Sequence, residues 1–293
     1  MTNLVTAWKT AKARLDAGGI DQPAIDARLM LEAAAGVSRM DILTDPYREL
    51  NAEQLARYDD YIDQRLRRRP VSHILGRKGF WKIMLSVTPD VLTPRPDTET
   101  ILDVVLPAFP ETMAFNVLDL GVGSGAILFA ILAERPAARG FGVEASSEAL
   151  AVARENAANL DLNHRCVLMK GDWTTGLGDA QFELVVSNPP YIPTSDIETL
   201  EPEVRDHEPR LALDGGADGL DAYRILAGEI LRVLKPGGLF AVEIGHDQSA
   251  PVEALFREAG AGQVRTVKDL ATRDRVVTGV KNPLETAASG ATS

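Results

Sequence analysis

The amino-acid sequence predicts an α/β fold with a doubly wound, mostly parallel sheet and a small helical domain at the amino terminus. From residue 116 onward, short apolar runs of the kind found in buried strands alternate with helical patterns. This alternation is typical of a parallel sheet with helices on both faces. Before residue 71, apolar side chains recur at helical spacing. The length of 293 residues suits two domains, since one domain accounts for about 150 residues.

Residues 1–70 are predicted to form the helical domain. Apolar side chains at helical spacing indicate a first helix from the start of the chain. A second helix is expected to begin near Pro23 and to end at Gly36. Asn51 and Gln54 have the spacing of a capping box, which marks the start of another helix. No cluster of catalytic side chains occurs in this stretch, so the sequence favours a domain that docks a partner.

Residues 71–96 are predicted to connect the two domains as a β-hairpin followed by a loop. The alternation of side chains over 80–87 indicates strands. The run Pro94-Arg95-Pro96-Asp97-Thr98-Glu99 is expected to be stiff, because proline fixes its own φ angle. Its Asp97 or Thr98 can cap a helix that runs to Phe109. Arg95 and Glu99 are candidates either to line a pocket or to brace the loop.

The second domain is predicted to span residues 97–282, with strands and helices in alternation. The run Lys235-Pro236-Gly237-Gly238 is predicted to be a turn between a helix and a strand. The end of the chain, 283–293, is small and polar and is predicted to be disordered. The strands are expected at 117–120, 140–143, 167–170, 182–186, 239–244, 263–267 and 275–280, and the helices at 126–134, 147–160, 220–234 and 251–259.

Composition disfavours several classes of protein. Cys166 is the single cysteine, so the chain has no internal disulfide and nothing in it indicates an oxidising compartment. The first 15 residues lack the continuous apolar stretch of a signal peptide, and no apolar run is long enough to span a bilayer. The histidines and the cysteine form no metal-binding pattern. We therefore expect a cytoplasmic protein without a metal site.

The charge of the chain disfavours nucleic acid as the substrate. The formal net charge is −11 and the sequence pI is about 4.9. Affinity for nucleic acid comes largely from basic side chains that neutralise phosphates. A basic run, Arg65-Leu66-Arg67-Arg68-Arg69, lies at the end of a predicted helix. In that position a solvated run that complements the helix dipole is the more common role.

The most informative stretch is Ser187-Asn188-Pro189-Pro190-Tyr191, which follows a predicted strand. Ligands of open α/β sheets bind at the carboxyl ends of strands. The two prolines stiffen this corner and remove two N–H donors, while Asn188 offers a carboxamide and Tyr191 a flat ring. A planar amide could lie on the ring and donate its hydrogens to the Asn188 and Pro189 oxygens. The corner is therefore a candidate site for a nitrogen nucleophile, and the alternative is an ordinary strand-ending turn.

A second candidate site is the glycine turn Gly121-Val122-Gly123-Ser124-Gly125, between a predicted strand and a helix. Glu144 ends the next strand about 20 residues on, where an acid commonly holds ribose hydroxyl groups. After the third strand, Trp173 is a candidate to pack on adenine and Asp172 to bond to it or to nearby backbone. The glycine spacing differs from the dinucleotide fingerprint and suits S-adenosylmethionine, which has no pyrophosphate.

In combination, these motifs resemble the bacterial peptide chain release factor N5-glutamine methyltransferases of the HemK/PrmC type. The resemblance covers nearly the whole chain beyond the helical domain. Asn-Pro-Pro-Tyr also occurs in enzymes that methylate DNA adenine, so the proline loop at 94–99 and the Asp-Gly-Gly segment are the more specific elements. The resemblance rests on Phe80-Trp81, 94–99, 118–121, 187–191, Glu208-Pro209, 211–216, 218–220 and Asp274-Arg275.

The resemblance implies a seven-stranded, Rossmann-like class I methyltransferase sheet with an antiparallel final hairpin. The implied activity is methyl transfer from S-adenosylmethionine to the side-chain nitrogen (N5) of the glutamine in the Gly-Gly-Gln motif of class I release factors, a modification that belongs to translation termination. The helical domain would help to engage the release factor. We expect a monomer with no direct contact to nucleic acid or to a membrane.

Each predicted site residue has an expected role. Asn188, Pro189 and Tyr191 are predicted to be catalytic, and Asn188, Pro189, Pro190 and Tyr191 to bind the substrate glutamine. The residues predicted to bind the cofactor are Gly121, Val122, Gly123, Ser124, Gly125, Glu144, Asp172, Trp173 and Asn188.

The chain departs from the family pattern at three places, and other functions remain open. Val122 stands where threonine is frequent, Glu144 replaces the more usual aspartate, and 271–273 lack a frequent glycine. The longer Glu144 should still reach a ribose, so these departures concern cofactor affinity. The alternatives are a ribosomal-protein glutamine methyltransferase, a nucleic-acid adenine methyltransferase, a non-catalytic cofactor-binding adaptor and an NAD-linked oxidoreductase.

Overall fold

The computed structural model describes residues 2–283, and it divides into two compact units. The helical unit runs to Arg77 and also contains Leu200–His207, whereas the sheet unit contains Lys78–Thr199 and the chain from Glu208 onward. The predicted disorder of 283–293 falls, except for its first residue, outside the described residues. The elements are α1 (Leu4–Ala17), α2 (Pro23–Ala35), α3 (Arg39–Thr44), α4 (Ala52–Leu66), α5 (Val71–Leu75), β1 (Arg77–Phe80), β2 (Ile83–Ser86), α6 (Thr100–Val105), β3 (Asn116–Leu120), α7 (Ala126–Glu134), β4 (Arg139–Glu144), α8 (Ser147–Asn159), β5 (Cys166–Lys170), β6 (Phe182–Ser187), α9 (Pro202–Arg205), α10 (Asp221–Val233), β7 (Leu234–Glu243), α11 (Ser249–Glu258), β8 (Ala261–Lys268) and β9 (Asp274–Lys281).

The helical unit packs its amphipathic helices around a small apolar core, which includes Leu4, Leu15, Met30 and Ile62. The predicted ends of its helices are confirmed. Gly36 ends α2 in the left-handed conformation, with φ of 67°. The predicted capping box precedes α4, because the side chains of residues 51 and 54 exchange hydrogen bonds with each other's backbone N–H groups.

A buried ion triad lies within the helical unit. Arg65 Nε donates to Asp26 Oδ2 at 2.7 Å, and Arg65 Nη1 donates to Glu203 Oε1 at 2.9 Å. All three side chains are at most 15% exposed. The guanidinium group of Arg65 therefore bridges two carboxylates, and Arg68 Nη1 lies 3.3 Å from Glu203 Oε1 as a second cation. These ion pairs hold the inserted segment 200–207 in this unit.

The sheet unit contains a seven-stranded sheet in the order β5-β4-β3-β6-β7-β9-β8. Strands β3 to β7 pair in parallel, and β9 pairs antiparallel with both β7 and β8. Apolar clusters cover both faces, because neighbouring residues of β3 such as Val117 and Leu118 belong to different clusters. The predicted doubly wound, mostly parallel sheet with an antiparallel final hairpin is confirmed.

Two local predictions were wrong. The Lys235–Gly238 run lies inside β7 as a bulge, since the pairing with β6 shifts register there. The predicted helix up to Phe109 is broken into a 3₁₀ turn, α6 and a second 3₁₀ turn that contains Pro107. The predicted β-hairpin is confirmed, because β1 and β2 form a two-stranded sheet whose turn lies at 81–82, where the φ of Trp81 is 52°.

None of the helices within residues 2–283 combines the length and the apolar character that crossing a membrane requires.

Candidate active site

A cavity of about 310 Å³ opens at the carboxyl ends of β3, β4, β5 and β6 in the sheet unit. This volume lies within the range of about 300–1,000 Å³ that is typical of small-molecule sites. The parallel strands end at one edge of the sheet, which brings together four loops that are distant in sequence. The lining residues fall at 90–92, 94–95, 98, 121–124, 126–127, 143–146, 149, 171–173, 188–190, 209 and 211–212.

The glycine turn after β3 forms the floor of the cavity. Its three glycines have φ values of 75°, 53° and 86°, which other L-residues rarely adopt. The N–H groups of Gly121 and Val122 both donate to the carbonyl oxygen of Val143, so the turn is tied to the end of β4. Asn156, buried in α8, donates to the carbonyl oxygen of Ser124 at 2.9 Å. The turn is therefore held from two sides.

Glu144 holds the same turn with its carboxylate. Its Oε2 accepts from the N–H of Gly123 at 2.9 Å, and its Oε1 accepts from the N–H of Ser146 at 3.0 Å. A carboxylate oxygen has two lone pairs, so each oxygen can still accept one further hydrogen bond. The side chain lines the cavity and is 9% exposed. Glu144 can thus support the turn and bind hydroxyl groups of a ligand.

Asp119 is a titratable residue to which the sequence analysis gave no role. It is 1% exposed, and its Oδ2 accepts from the N–H of Leu128 in the first turn of α7. Burial raises the pKa of Asp119 to about 8, partly offset by the hydrogen bond from Leu128 and reinforced by the charge of Glu144. The carboxyl group is therefore largely protonated at neutral pH, and it caps α7 without adding a full negative charge behind the glycine turn.

Asp172 and Trp173 line the cavity after β5. The backbone of Trp173 is left-handed, with φ of 47°. A methyl group built on Gly121 would lie 3.9 Å from the indole ring, so the ring stands directly beside the glycine turn. This flat apolar face next to two carboxylates suits a nucleoside.

The Asn-Pro-Pro-Tyr corner contributes three of its four residues to the cavity. Asn188, Pro189 and Pro190 line it, and Asn188 Nδ2 lies 3.4 Å from Thr98 Oγ1. Tyr191 lies outside the lining and packs against the apolar cluster beneath the sheet edge. Its hydroxyl group donates to Glu243 Oε1 at 3.2 Å. The ring predicted to carry the substrate is thus directed to a buried carboxyl group at the end of β7.

The Asp-Gly-Gly segment packs against the backbone of this corner. The N–H of Ile192 donates to the carbonyl oxygen of Leu213, and the N–H of Gly215 donates to that of Ile192. A Cβ atom on Gly215 would lie 2.8 Å from the Cα of Tyr191, and one on Gly219 would lie 2.3 Å from the Tyr191 carbonyl oxygen. The two glycines are required because the backbones approach so closely.

The proline loop at 94–99 has both of the roles that the sequence left open, since one of its side chains lines the cavity and another braces the structure. Arg95 lines the cavity and donates to the buried Glu208 at 2.6 Å. Burial raises the pKa of Glu208, and the charge of Arg95 opposes that rise. Glu99 instead accepts from the N–H of Trp81 at 2.7 Å and braces the hairpin.

The structure brings together Gly121, Val122, Gly123, Ser124, Glu144, Asp172, Trp173, Asn188, Pro189 and Pro190 around one cavity. Two predicted site residues, Gly125 and Tyr191, lie outside the lining. Gly125 sits under α7, where a Cβ atom would collide with the ring of Phe129. No sequence pattern indicated a site role for Thr98, Leu211 or Glu243. Thr98 and Leu211 belong to motifs on which the family resemblance rests. Glu243 is a single carboxylate at the end of β7, and no sequence motif marks it.

Comparisons with known proteins agree with this architecture. Residues 6–76 match the family model of the PrmC N-terminal domain, and residues 112–276 match a methyltransferase domain model. The release factor glutamine methyltransferase of Caulobacter vibrioides is 75% identical over 97% of this chain and 99% of its own length. That of Rhodospirillum rubrum is 44% identical over 89% of this chain and 80% of its own length.

Two solved structures share the fold of the sheet unit. A methyltransferase from Pyrococcus furiosus has a TM-score of 0.51 at 19% identity, covering 68% of this chain and 88% of its own. The hMettl16 catalytic domain, solved with an RNA hairpin, has a TM-score of 0.53 at 15% identity, covering 67% of this chain and 76% of its own. At these identities the likeness concerns the fold alone.

Proposed function

The chain belongs to the release factor glutamine methyltransferase family, and we propose that it methylates the glutamine of the Gly-Gly-Gln motif in class I peptide chain release factors. It is an S-adenosylmethionine-dependent methyltransferase. The observation that carries the proposal is the position of Asn188. Its carboxamide lines the same cavity as the glycine turn and Glu144, so a side-chain amide and a nucleoside cofactor can meet there.

The cavity fits S-adenosylmethionine by its donor set and its walls. Glu144 has free lone pairs for ribose hydroxyl groups, and the indole ring of Trp173 offers a face for adenine. Gly121, Gly123 and Ser124 expose backbone to the cavity without long side chains. When bound, the cofactor supplies an electrophilic methyl group on a sulfonium centre.

The protein's task is to orient a poor nucleophile. The lone pair of an amide nitrogen is delocalised into its carbonyl group, so the nitrogen must be held in line with the methyl group at about 3–3.5 Å. We assign the two amide hydrogens to the side-chain oxygen of Asn188 and the carbonyl oxygen of Pro189. These acceptors favour the positive charge that develops on nitrogen as it gains the methyl group and before it loses a proton.

A protein substrate is favoured over nucleic acid. Among the described residues that line the cavity, Arg95 is the single basic one, and it is paired with Glu208. With a net charge of −11, the chain lacks the excess of basic residues that would neutralise a phosphate backbone. We further propose that the enzyme acts as a monomer in the cytoplasm, with the helical unit contacting the release factor.

The decisive experiment is methyl transfer from isotopically labelled S-adenosylmethionine to a purified release factor, followed by mass spectrometry of the peptides. We expect one methyl group on the glutamine of Gly-Gly-Gln, and none on a release factor in which that glutamine is alanine. Ribosomal proteins and DNA serve as competing substrates in parallel reactions. Methylation of either of these, with the release factor unmodified, would overturn the proposal.

A further inference from the structure

A line of polar side chains leads from Asn188 away from the cavity. Asn188 Nδ2 lies 3.4 Å from Thr98 Oγ1. Burial raises the pKa of Glu243 to about 6, and a hydrogen bond with the hydroxyl group of Thr98 is the largest of the effects that oppose this rise. Glu243 also accepts from the hydroxyl group of Tyr191 at 3.2 Å. We call these four residues the Asn188 network.

The inner part of the network is almost fully buried. Thr98 is 4% exposed and Glu243 is 1% exposed. The hydroxyl group of Tyr223 donates to the backbone carbonyl oxygen of Glu243 at 2.7 Å, which fixes the end of β7. Within residues 2–283, Glu243 Oε2 has no partner in ordinary hydrogen-bond geometry. A buried carboxylate oxygen is strongly stabilised by a hydrogen-bond donor. The hydroxyl group of Thr98 is the neutral hydrogen-bond donor on the side of Asn188.

The chemistry of these groups sets the direction of each hydrogen bond. An ionised carboxylate can only accept, so Glu243 requires the hydroxyl proton of Thr98. Thr98 Oγ1 then presents lone pairs to Asn188, which must place its NH₂ group there. The side-chain oxygen of Asn188 is thereby turned to the opposite side of the carboxamide, toward the cavity.

We propose that Glu243 is a positioning residue for methyl transfer, which acts through Thr98 to fix the orientation of the Asn188 carboxamide. The inference rests on the proposed function, in which the side-chain oxygen of Asn188 accepts from the substrate amide. With the carboxamide inverted, the NH₂ group of Asn188 would face the NH₂ group of the substrate. Two donors would then oppose each other, and the substrate nitrogen would lose one of its two acceptors.

Glu243→Gln is the most direct test, because it keeps the size of the side chain and adds a donor. The new NH₂ group can donate to Thr98 Oγ1, so the hydroxyl proton of Thr98 turns toward Asn188 and favours the inverted carboxamide. We expect kcat for release-factor methylation to fall about tenfold to a hundredfold. We expect the Kd of S-adenosylmethionine, measured by calorimetry, and the Tm to stay unchanged.

Two variants of Thr98 provide a second test. Thr98→Val removes the hydroxyl group at constant shape and should lower kcat to a similar extent, whereas Thr98→Ser keeps the hydroxyl group and should restore most of it. The matched control is Glu253→Gln, because Glu253 also accepts from a threonine hydroxyl group, Thr266 Oγ1 at 2.6 Å, on β8. That variant should leave kcat unchanged.

A readout without cofactor or substrate separates this inference from the proposed function. The side-chain NH₂ signals of Asn188, assigned by their loss in Asn188→Asp, should shift in wild-type protein as Glu243 titrates and should not shift in Glu243→Gln. The groups facing Glu243 are Thr98, Tyr191, Tyr223, Arg275 and Asp97. Of these, Arg275 stays charged, and the Asp97→Asn background shows whether Asp97 is the group that titrates.

The experiments distinguish failure of the proposed function from failure of the role assigned to Glu243. Wild-type protein that fails to methylate release factor contradicts the proposed function, while the NMR titration still tests the network. Wild-type kcat in both Glu243→Gln and Thr98→Val overturns the inference. So does a parallel loss of kcat, cofactor affinity and Tm in both variants, because that pattern marks a purely structural carboxyl group.

Discussion

Gln248 Nε2 donates a hydrogen bond of 2.9 Å to the backbone carbonyl oxygen of Tyr191. The same nitrogen lies 3.2 Å from the carbonyl oxygen of Gly219, and Gln248 Oε1 accepts from the N–H of Gly245. One buried carboxamide therefore ties together the Asn-Pro-Pro-Tyr corner, the glycine-rich segment beside it and the loop after β7. The corner owes its shape to these backbone contacts as well as to its prolines.

The corner should be sensitive to a single methyl group at Gly219. Gly219→Ala would place a Cβ atom 2.3 Å from the Tyr191 carbonyl oxygen, at a φ of 75° that alanine rarely adopts. A displacement of the corner by about 1 Å is expected to lower kcat about a hundredfold. The control is Gly228→Ala in α10, where nothing lies within 4 Å of the added atom. Equal steady-state kinetics for the two variants would contradict this view of the corner.

Asn188→Ala should remove most of the turnover. Loss of one oriented acceptor at the reacting nitrogen is expected to lower kcat about 10²- to 10³-fold. The affinity for S-adenosylmethionine should change much less, because the glycine turn, Glu144 and Trp173 remain. Single-turnover kinetics and calorimetry separate the two effects, with the exposed Asn159→Ala as the control. Intact turnover in Asn188→Ala would show that another group holds the substrate amide.

Glu144→Ala, in contrast to Asn188→Ala, should weaken cofactor binding. The variant removes the acceptor for the N–H groups of Gly123 and Ser146 and the proposed acceptor for ribose. Hydrogen bonds to charged groups contribute about 1.5–3 kcal/mol, so Kd should rise about tenfold to a hundredfold. Calorimetry measures this change, and Glu155→Ala, at an exposed position of α8, is the control. An unchanged Kd would remove Glu144 from the cofactor site.

The stability of the protein should depend on pH through Asp119. The pKa of this group is about 8 in the folded chain and near its ordinary 3.8 when the chain unfolds. The folded state therefore binds more protons between these values, and the free energy of unfolding falls as pH rises from about 4 to about 8. Asp119→Asn has no proton to lose, so its Tm should vary less with pH than that of the wild type. The exposed Asp103→Asn should keep the wild-type slope, and an equal slope in Asp119→Asn would contradict the assignment.

Arg65→Met should destabilise the helical unit. The change leaves the buried carboxylate of Asp26 without its cation, whereas Glu203 keeps its pair with Arg68. Removal of one member of a buried ion pair costs about 3–5 kcal/mol of unfolding free energy. Arg57→Met, which removes an exposed pair with Glu53, should cost less than about 1 kcal/mol. Urea denaturation of both variants measures the difference, and similar midpoints would show that the triad is not stabilising.

Local patterns were enough to predict most of the fold. The central strands β3 and β6 are mostly apolar because both of their faces are buried, and this makes them visible in the sequence. The capping box before α4 and the glycine at the end of α2 act within a few residues of each other. The bulge in β7 was missed because a Lys-Pro-Gly-Gly run favours a turn, and only pairing with β6 extends it as a strand.

The sequence by itself determined the chemistry of this protein: a glycine turn with an acid one strand later, and a stiff carboxamide corner at a strand end. Both are short motifs, and each predicts a binding site only when it follows a strand. Only the tertiary structure decided that Gly125 and Tyr191 lie outside the cavity and that Thr98 stands between Asn188 and Glu243. Thr98 and Asn188 are 90 residues apart, and they meet because the proline loop before α6 lines the same cavity as the corner after β6. No local periodicity carries that information.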